Sequence, residues 1–543
     1  MLGFCNCAKR LSNIRVSAKN DRKIFLKNFV FDLDNMGFVL YNYLPIFFRQ
    51  EGIMANEGQN KYTGFPIELL KAHEAVAPNN NTEQTANRLV EMIGGYLKTA
   101  VAVSDIVVGP TVTRYEFELP QGVALKKIEA LRFDIKDEFA PMSDVRIEAP
   151  IYGKRTVGVE IPNTIRSIVG LREGLTSPEF VNHSSPLVFP VGKDTDGNIM
   201  LLDLTKMPHI FISGQSGSGK SVLINAMVAS IMYKASPDDV RFIMIGERGI
   251  ELSVFQGMPH MLFGETITHP DDALNALRWA NDEMNRRYLA FKEYICHNLA
   301  EYNRMQAESE SGVKLPHIVI VIHELLHLAR SKFRRAIEDT MASLVAMGRA
   351  AGIHVVISSL YASSDSIDGK IKANMTTRIA FRVPSSIDSR MILDDSGAET
   401  LIGSGDMLYY PMDVCAPVRV QGSYIGFKEL QSIIDYIKKH NRSDYNEAAA
   451  DFVFKAIIDA SDSLIEEEDP LLSLVTELAI KLNNISTPVV QRRFSIGFAR
   501  AARIIDRMEV LGFIAPLTSY AKPREVFITR EQYKKFFGRD VQD

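Results

Sequence analysis

At 543 residues the chain is too long for a single hydrophobic core, and about two to four domains are expected. A hydrophobic content of 46% with 24% charged residues describes an ordinary globular protein. A net charge of −4 excludes a uniformly basic nucleic-acid binder, so any such contact must come from local patches. Four cysteines, Cys5, Cys7, Cys296 and Cys415, are too few and too scattered for a disulfide framework and fit free thiols in a reducing cytoplasm. Cys5 and Cys7 have no second Cys/His pair nearby to complete a metal site. The most apolar early stretch, residues 38–48, is far shorter than a membrane span and contains Pro45. The N-terminus also lacks the charge, apolar run and small-residue site of a signal peptide. A soluble, cytoplasmic chain with no membrane segment is therefore expected.

Residues 1–55 read as an N-terminal extension, basic at first (Lys9, Arg10, Arg15, Lys19) and without a periodicity that commits it to structure. Residues 56–190 read as a compact α+β domain: short alternating stretches such as 113–119 are separated by Pro/Gly turns and one or two helices. Residues 191–440 alternate apolar runs with helical segments, which predicts an α/β unit with a parallel sheet and crossover helices. Its strands are expected near 210–212, 240–245, 318–322, 354–357 and 377–381. Residues 441–470 form a linker that ends in an acidic, proline-terminated run, and 471–535 form a small helical unit closed by a strand pair.

The sharpest motif is Gly214-Gln215-Ser216-Gly217-Ser218-Gly219-Lys220-Ser221, a complete G-x-x-x-x-G-K-[ST] loop. It follows the apolar run 210–212 and opens into a helix from Val222, the strand–loop–helix setting that the motif requires. Glycines let the backbone wrap phosphates with its N–H groups pointing inward at a helix N-terminus. Lys220 is expected on the β- and γ-phosphates of ATP and the Ser221 hydroxyl on Mg²⁺.

Several collinear blocks resemble the FtsK/SpoIIIE family of DNA translocases. They include Gly153-Lys154-Arg155-Thr156-Val157-Gly158, Lys206-Met207-Pro208-His209, Asn298-Leu299-Ala300-Glu301-Tyr302-Asn303 and Arg349-Ala350-Ala351-Gly352-Ile353-His354. Ile387-Asp388-Ser389-Arg390 and Gly405-Asp406-Met407-Leu408-Tyr409 continue the series. The resemblance covers most of 62–530. It implies an α domain (56–190), a RecA-like P-loop NTPase motor (191–440) that forms a homo-hexameric ring around double-stranded DNA, and a C-terminal winged-helix γ domain (471–535). It also implies a role in chromosome partition at cell division or in DNA transfer.

Against that family the catalytic half departs. The second apolar strand should end in Asp-Glu, the Asp supporting Mg²⁺ and the Glu polarising water. Here it ends in His323-Glu324, so Glu324 survives and the aspartate does not. A neutral imidazole is a poor partner for Mg²⁺. Gly246-Glu247-Arg248 stands where the family places Asp-Pro-Lys, with Glu247, shifted by one position, as a partial substitute, and Ser359-Leu360-Tyr361-Ala362 where it places Thr-Gln-Arg-Pro. Arg378 and Arg390 fall at matching positions and either reach a neighbour's nucleotide or serve a structural ion pair. Nucleotide binding with slow or absent hydrolysis is the expectation.

The same segment, His323-Glu324-Leu325-Leu326-His327, spells the H-E-x-x-H of zinc proteases, in which both histidines lie one turn apart on a helix. His323 directly follows a β run, the wrong setting for such a site, and a metalloprotease is a remote alternative.

Toward the C-terminus, residues 488–509 read as helix, Gly turn and helix, with Ala501, Ile504, Ile505 and Met508 forming a core-facing stripe. Arg492, Arg493, Arg500, Arg503 and Arg507 make a local basic surface, and residues 512–514 with 524–527 the wing. By resemblance, positions 499, 503 and 506 are base readers. Arg503 suits a guanine edge and Asp506 cytosine N4, while Ala499 offers only apolar contact. The leading reading is an ATP-dependent DNA translocase, and the alternative is a non-hydrolysing DNA-binding ring or scaffold.

Overall fold

The structure is a computed structural model. It describes residues 23–26, 29–32, 62, 64–73, 81–120, 122–123, 126–140, 144–151, 153–246, 251–309, 312–360, 369–411, 414, 416–454, 471–494, 501, 504–505, 507–509, 511–515, 524–537 and 539. Within the N-terminal unit, 1–62, β1 (Lys23–Leu26) and β2 (Phe29–Asp32) pair as an antiparallel hairpin. The remainder, Thr63–Asp543, is one compact unit.

Its first sheet contains β3 (Ala102–Val108), β4 (Val112–Glu118), β5 (Arg146–Glu148) and β6 (Thr156–Pro162), all antiparallel in the order β3-β4-β6-β5. The helix Thr82–Leu97 turns Ala86, Leu89 and Ile93 inward, spaced to share one helical face. They join Tyr115, Phe117, Val157 and Val159 in one core. The opposite face of β4 is buried but charged. There Arg114 donates to Glu116 at 2.8 Å, to Thr195 Oγ1 at 2.5 Å and to Asp196 at 2.5 Å.

The large sheet comprises β7 (Val188–Asp194), β8 (Ile199–Asp203), β9 (His209–Ser213), β10 (Val240–Gly246), β11 (His317–His323), β12 (Ile353–Ser359), β13 (Thr377–Phe381), β14 (Asp406–Tyr410) and β15 (Val418–Gly422). Their order is β10-β11-β12-β9-β13-β14-β15-β7-β8. The five strands from β10 to β13 pair parallel, and they are the five read from apolar runs. Each is buried on both faces: Ile210 and Ile212 face the core beneath the helix Lys220–Lys234, whereas Phe211 faces the one beneath Pro270–Tyr294 and Arg334–Ala351.

The expectation of a parallel sheet across 191–440 is corrected here. From β13 onward every pairing is antiparallel, through β14, β15, β7 and β8, so the sheet is mixed. β14 and β15 lie next to each other in sequence with no helix between them, so a right-handed crossover cannot form and they pair as neighbours. β7 runs across the expected boundary at 190/191.

This antiparallel half carries the junction with the first sheet. Arg419 on β15 donates to Glu160 of β6 at 2.7 Å and forms a two-pronged pair with Asp406, at 3.0 and 2.7 Å. Arg146 adds a second cation on Glu160 at 3.0 Å. Thr111 Oγ1 donates to Gln421 Oε1 at 2.7 Å. Burial alone would depress the Arg419 guanidinium, yet Asp406 and Glu160 outweigh it and hold its pKa raised.

β16 (Asn484–Ile485) pairs antiparallel with β17 (Arg524–Glu525) beside the helices Leu472–Leu482 and Thr487–Phe494. Ala501, Ile504, Ile505 and Met508 are all buried, as their stripe predicts. Among the described residues no helix is long and apolar enough to cross a membrane.

Candidate nucleotide site

β9 ends at Ser213 and the chain enters the helix Lys220–Lys234 through 214–219. Gly214 and Gly219 are required by backbone angle and by space. Their φ values are +151° and +125°, and a Cβ would stand 2.6 Å from Phe381 Cβ and 3.0 Å from the Gly405 backbone, respectively. Neighbouring strands fix the loop: Gln215 N–H donates to the Arg382 carbonyl at 2.9 Å, and Gly405 N–H to the Ser218 carbonyl at 2.8 Å. Ser218 Oγ donates to the Gln215 carbonyl at 2.7 Å, while Ser216 and Gly217 form the exposed crest. Lys220 Nζ lies inside the bend, donating to the carbonyls of Gly214 at 2.5 Å and Gln215 at 3.0 Å. Burial pushes its pKa down to about 8, against the pull of the Glu324 carboxylate. An arriving phosphate supplies the opposite charge that favours the ammonium form.

The parallel pairing aligns the carboxyl ends of the strands beside this loop, with Gly246 opposite His323 and His323 opposite Ser358. Ligands of open α/β sheets bind at this edge. His323 Nε2 lies 3.0 Å from Ser221 Oγ. Burial holds its imidazole below the ordinary value, with Glu251 opposing and Lys220 reinforcing the shift. Glu324 leaves the strand in the left-handed region at φ 67°, ψ 77°, a conformation that costs an L-residue roughly 1–2 kcal/mol and that collects at functional sites. Its own N–H donates to the Ser358 carbonyl at 3.0 Å. The carboxylate accepts from Leu360 N–H at 3.2 Å and Ser359 Oγ at 3.5 Å. Burial raises its pKa, partly offset by N–H donors of Leu326 and Leu360 and by Lys220 and Ser359. A carboxylate so placed suits the acceptance of a proton from water.

The residues fit ATP: a glycine-shaped loop at a helix N-terminus and a buried lysine match a triphosphate. Mg²⁺ is served less well: among the described residues, the side-chain donors paired at Ser221 are its own hydroxyl and one imidazole nitrogen, whereas Mg²⁺ prefers oxygen.

Other expected site residues fall elsewhere. Arg378 is tied down by Asp394 and by the carbonyls of Met375 and Ile392, which is the structural ion pair. Arg390 is exposed on the helix Ser386–Leu393. The zinc-protease reading meets a geometric obstacle. His323 belongs to β11 and helix begins only at Leu325, so His323 and His327 do not share a helical turn. Among the described residues, no group of three or more His, Cys, Asp or Glu side chains gathers to hold a metal ion. Leu360 takes part after all, through its main-chain N–H. Gly405 and Arg382 were missed because their bonds to the loop are made by main-chain atoms, which no side-chain pattern announces.

At the C-terminal unit Arg492 and Arg493 are exposed and Arg507 is half-buried. The wing is present: Ile514 bridges Val526, and Phe527 N–H donates to the Phe513 carbonyl at 2.8 Å. Arg500, Arg503, Asp506, Ala499, Glu247, Arg248, Tyr361 and Ala362 lie outside the described residues.

Comparison with known proteins gives matches along the chain. Residues 66–163 match the FtsK alpha domain, 170–364 the FtsK/SpoIIIE family and 466–529 the FtsK gamma domain. The DNA translocase FtsK of Clostridium tetani (strain Massachusetts / E88) is 40% identical over 474 residues, covering 86% of this chain and 63% of the relative. The DNA translocase SftA of Bacillus subtilis (strain 168) is 39% identical over 427 residues, covering 79% of this chain and 44% of the relative. The chain thus spans less than two thirds of the length of these curated relatives. Among solved structures, the pCW3 conjugation coupling protein TcpA, monomer form with ATPγS, is 21% identical with a TM-score of 0.45, covering 66% of this chain and 99% of that one. With three matched segments in order and identity near 40% over most of its length, the chain belongs to the FtsK/SpoIIIE family.

Proposed function

We propose that this chain is an ATP-dependent double-stranded DNA translocase acting in chromosome segregation or DNA transfer, and that it binds nucleotide well but hydrolyses it slowly. It works in the cytoplasm as a homo-hexameric ring, with 56–190 as α domain, 191–440 as motor and 471–535 as γ domain; the expected linker 441–470 is corrected in its first part, since 447–454 is helical and buries Ala449 and Val453 in the motor core. The observation that carries the reading is the alignment of the phosphate loop, Lys220 and Glu324 at one carboxyl edge of the parallel strands, with His323 hydrogen-bonded to Ser221. The loop and Lys220 support the cradle role and Glu324 the water-orienting role, while His323 stands where the family's Mg²⁺-supporting aspartate is expected.

ATPase assays with and without duplex DNA test this directly. In Mg²⁺, wild type is expected to turn over slowly, and His323→Asp to raise the DNA-stimulated rate by about tenfold or more, equivalent to about 1.4 kcal/mol of barrier per tenfold. Wild-type turnover at the rate of an ordinary motor ATPase refutes slow hydrolysis. Nucleotide and DNA binding with no phosphate release, in wild type and variant alike, points instead to a non-hydrolysing ring.

DNA reading is tested separately. Arg503→Ala is expected to weaken binding to a preferred duplex by about 1–3 kcal/mol and to broaden sequence choice. Unchanged competition between cognate and scrambled duplexes sinks that assignment.

A further inference from the structure

We propose that the ion bound with the nucleotide in this chain is a borderline first-row transition ion of the Co²⁺, Ni²⁺ or Zn²⁺ class, held by the Ser221 hydroxyl and the His323 imidazole, in place of Mg²⁺. This rests on the nucleotide reading above.

The two donor atoms are already placed as a pair. His323 Nε2 and Ser221 Oγ stand 3.0 Å apart. Two ligands bound at ~2.1 Å and at right angles to one another stand about 3.0 Å apart. In the structure the two share a hydrogen bond, and an ion held by both would replace the shared proton and turn the two donors toward itself at a similar separation. Both are rigidly based: Ser221 in the first turn of the helix Lys220–Lys234, His323 at the end of a strand paired on both sides. Beside His323 the neighbouring strand ends in Gly246, the last described residue there, which has no side chain to offer; a Cβ there would already lie 3.1 Å from Leu252 and 3.5 Å from His323 Cβ. The Glu324 carboxylate accepts from Leu360 N–H and Ser359 Oγ at the end of β12. It is thus already engaged by these two donors.

The remaining ligands would come from phosphate oxygens, giving a mixed nitrogen and oxygen set. Mg²⁺ is hard, gives up water reluctantly and gains little from imidazole. Imidazole suits Zn, Ni, Cu and Fe, and for a given set of this kind affinity rises from Mn²⁺ through Co²⁺ to Ni²⁺. Replacing a carboxylate with His323 therefore changes which ion is preferred and need not abolish ion binding.

The test uses the full chain, washed with chelator, and a fluorescent ATPγS titrated in Mg²⁺, Mn²⁺, Co²⁺ or Ni²⁺. Free nucleotide itself favours the transition ions, so the reading is the ratio between wild type and His323→Asp. Wild type is expected to bind at least about tenfold tighter in Co²⁺ or Ni²⁺ than in Mg²⁺, a difference of about 1.4 kcal/mol. His323→Asp is expected to shift that ratio at least tenfold back toward Mg²⁺. Pulsed electron spin resonance of the Mn²⁺–ATPγS complex supplies a readout independent of the variant's folding, with an imidazole nitrogen coupling expected in wild type. Tight binding in Mg²⁺ with no preference for Co²⁺ or Ni²⁺, or a Mn²⁺ complex without nitrogen coupling, overturns the ion proposal and leaves the nucleotide reading standing. Absence of nucleotide binding with every ion overturns both.

Discussion

Arg419→Ala is expected to lower the stability of the fold by about 3–5 kcal/mol, the cost of leaving buried charge without its partner. The side chain is buried and neutralises Glu160 and Asp406 at once, both 1% exposed. The two carboxylates are not stranded equally. Glu160 retains Arg146 at 3.0 Å, whereas Asp406 loses both prongs of its pair and keeps the Ile402 N–H at 2.8 Å. Most of the loss should therefore be felt at Asp406, and adding Asp406→Asn to Arg419→Ala should recover part of it. Urea midpoints of the three proteins check this. A cost below about 1 kcal/mol for Arg419→Ala would mean that the network is solvated, since exposed pairs are worth only that much.

Acid is the second large effect. The folded state holds His209, His260 and His317 down at about 4 and His354 well below its ordinary value, in each case chiefly through burial. Charged neighbours reinforce the shift: Arg349 acts on His209, Arg241 on His260, and Arg287 on both His317 and His354. Asp239 pulls the other way on His260 and His317, as does Asp203 on His317. His317 Nδ1 and His354 Nε2 lie 3.1 Å apart, so a proton on one resists a proton on the other. Unfolding frees each ring to titrate near 6.5. A depressed folded value means that stability is fully present above about pH 6.5 and is lost as pH falls toward 4. The loss is on the order of 3 kcal/mol per fully shifted histidine, with less than simple addition for the coupled pair. Carboxylates held low in the fold, such as Glu160 and Glu283, begin to cost stability only at more acid pH, so the histidine share is isolated between pH 7 and 5. Thermal midpoints measured across that interval should fall steeply. A flat profile there would show that these rings are not buried in solution.

What could be read from the sequence follows from where each interaction lies along the chain. The phosphate loop is contiguous, and its geometry follows from its own glycines. The five parallel strands are sealed on both faces, so they appear as unbroken apolar runs such as 318–322. The antiparallel half was missed because β14 and β15 are short and β15 pairs with β7, which comes far earlier in the chain. The same limit hid the bonds from Arg382 and Gly405 to the loop, both made through main-chain atoms. His323 was recognisable as a departure, but its approach to Ser221 depends on the sheet order, in which one strand, β12, lies between β11 and the β9 that leads to Ser221. Arg378 shows the opposite case: its type and place suggested chemistry, while its surroundings in the fold make it an anchor.

The Gly405 main chain joins parts that the sequence keeps far apart. Its N–H holds the Ser218 carbonyl and its own carbonyl receives Gly422 N–H at 2.8 Å, while the next residue, Asp406, grips Arg419. Gln421, beside Gly422, accepts from Thr111 at the foot of β4 in the first sheet. Mechanically this is a short, stiff linkage with no flexible side chain at its root. A displacement of the phosphate loop would be passed to the hairpin β14–β15 and on to the four-stranded sheet as leverage, with little slack along the way to absorb it.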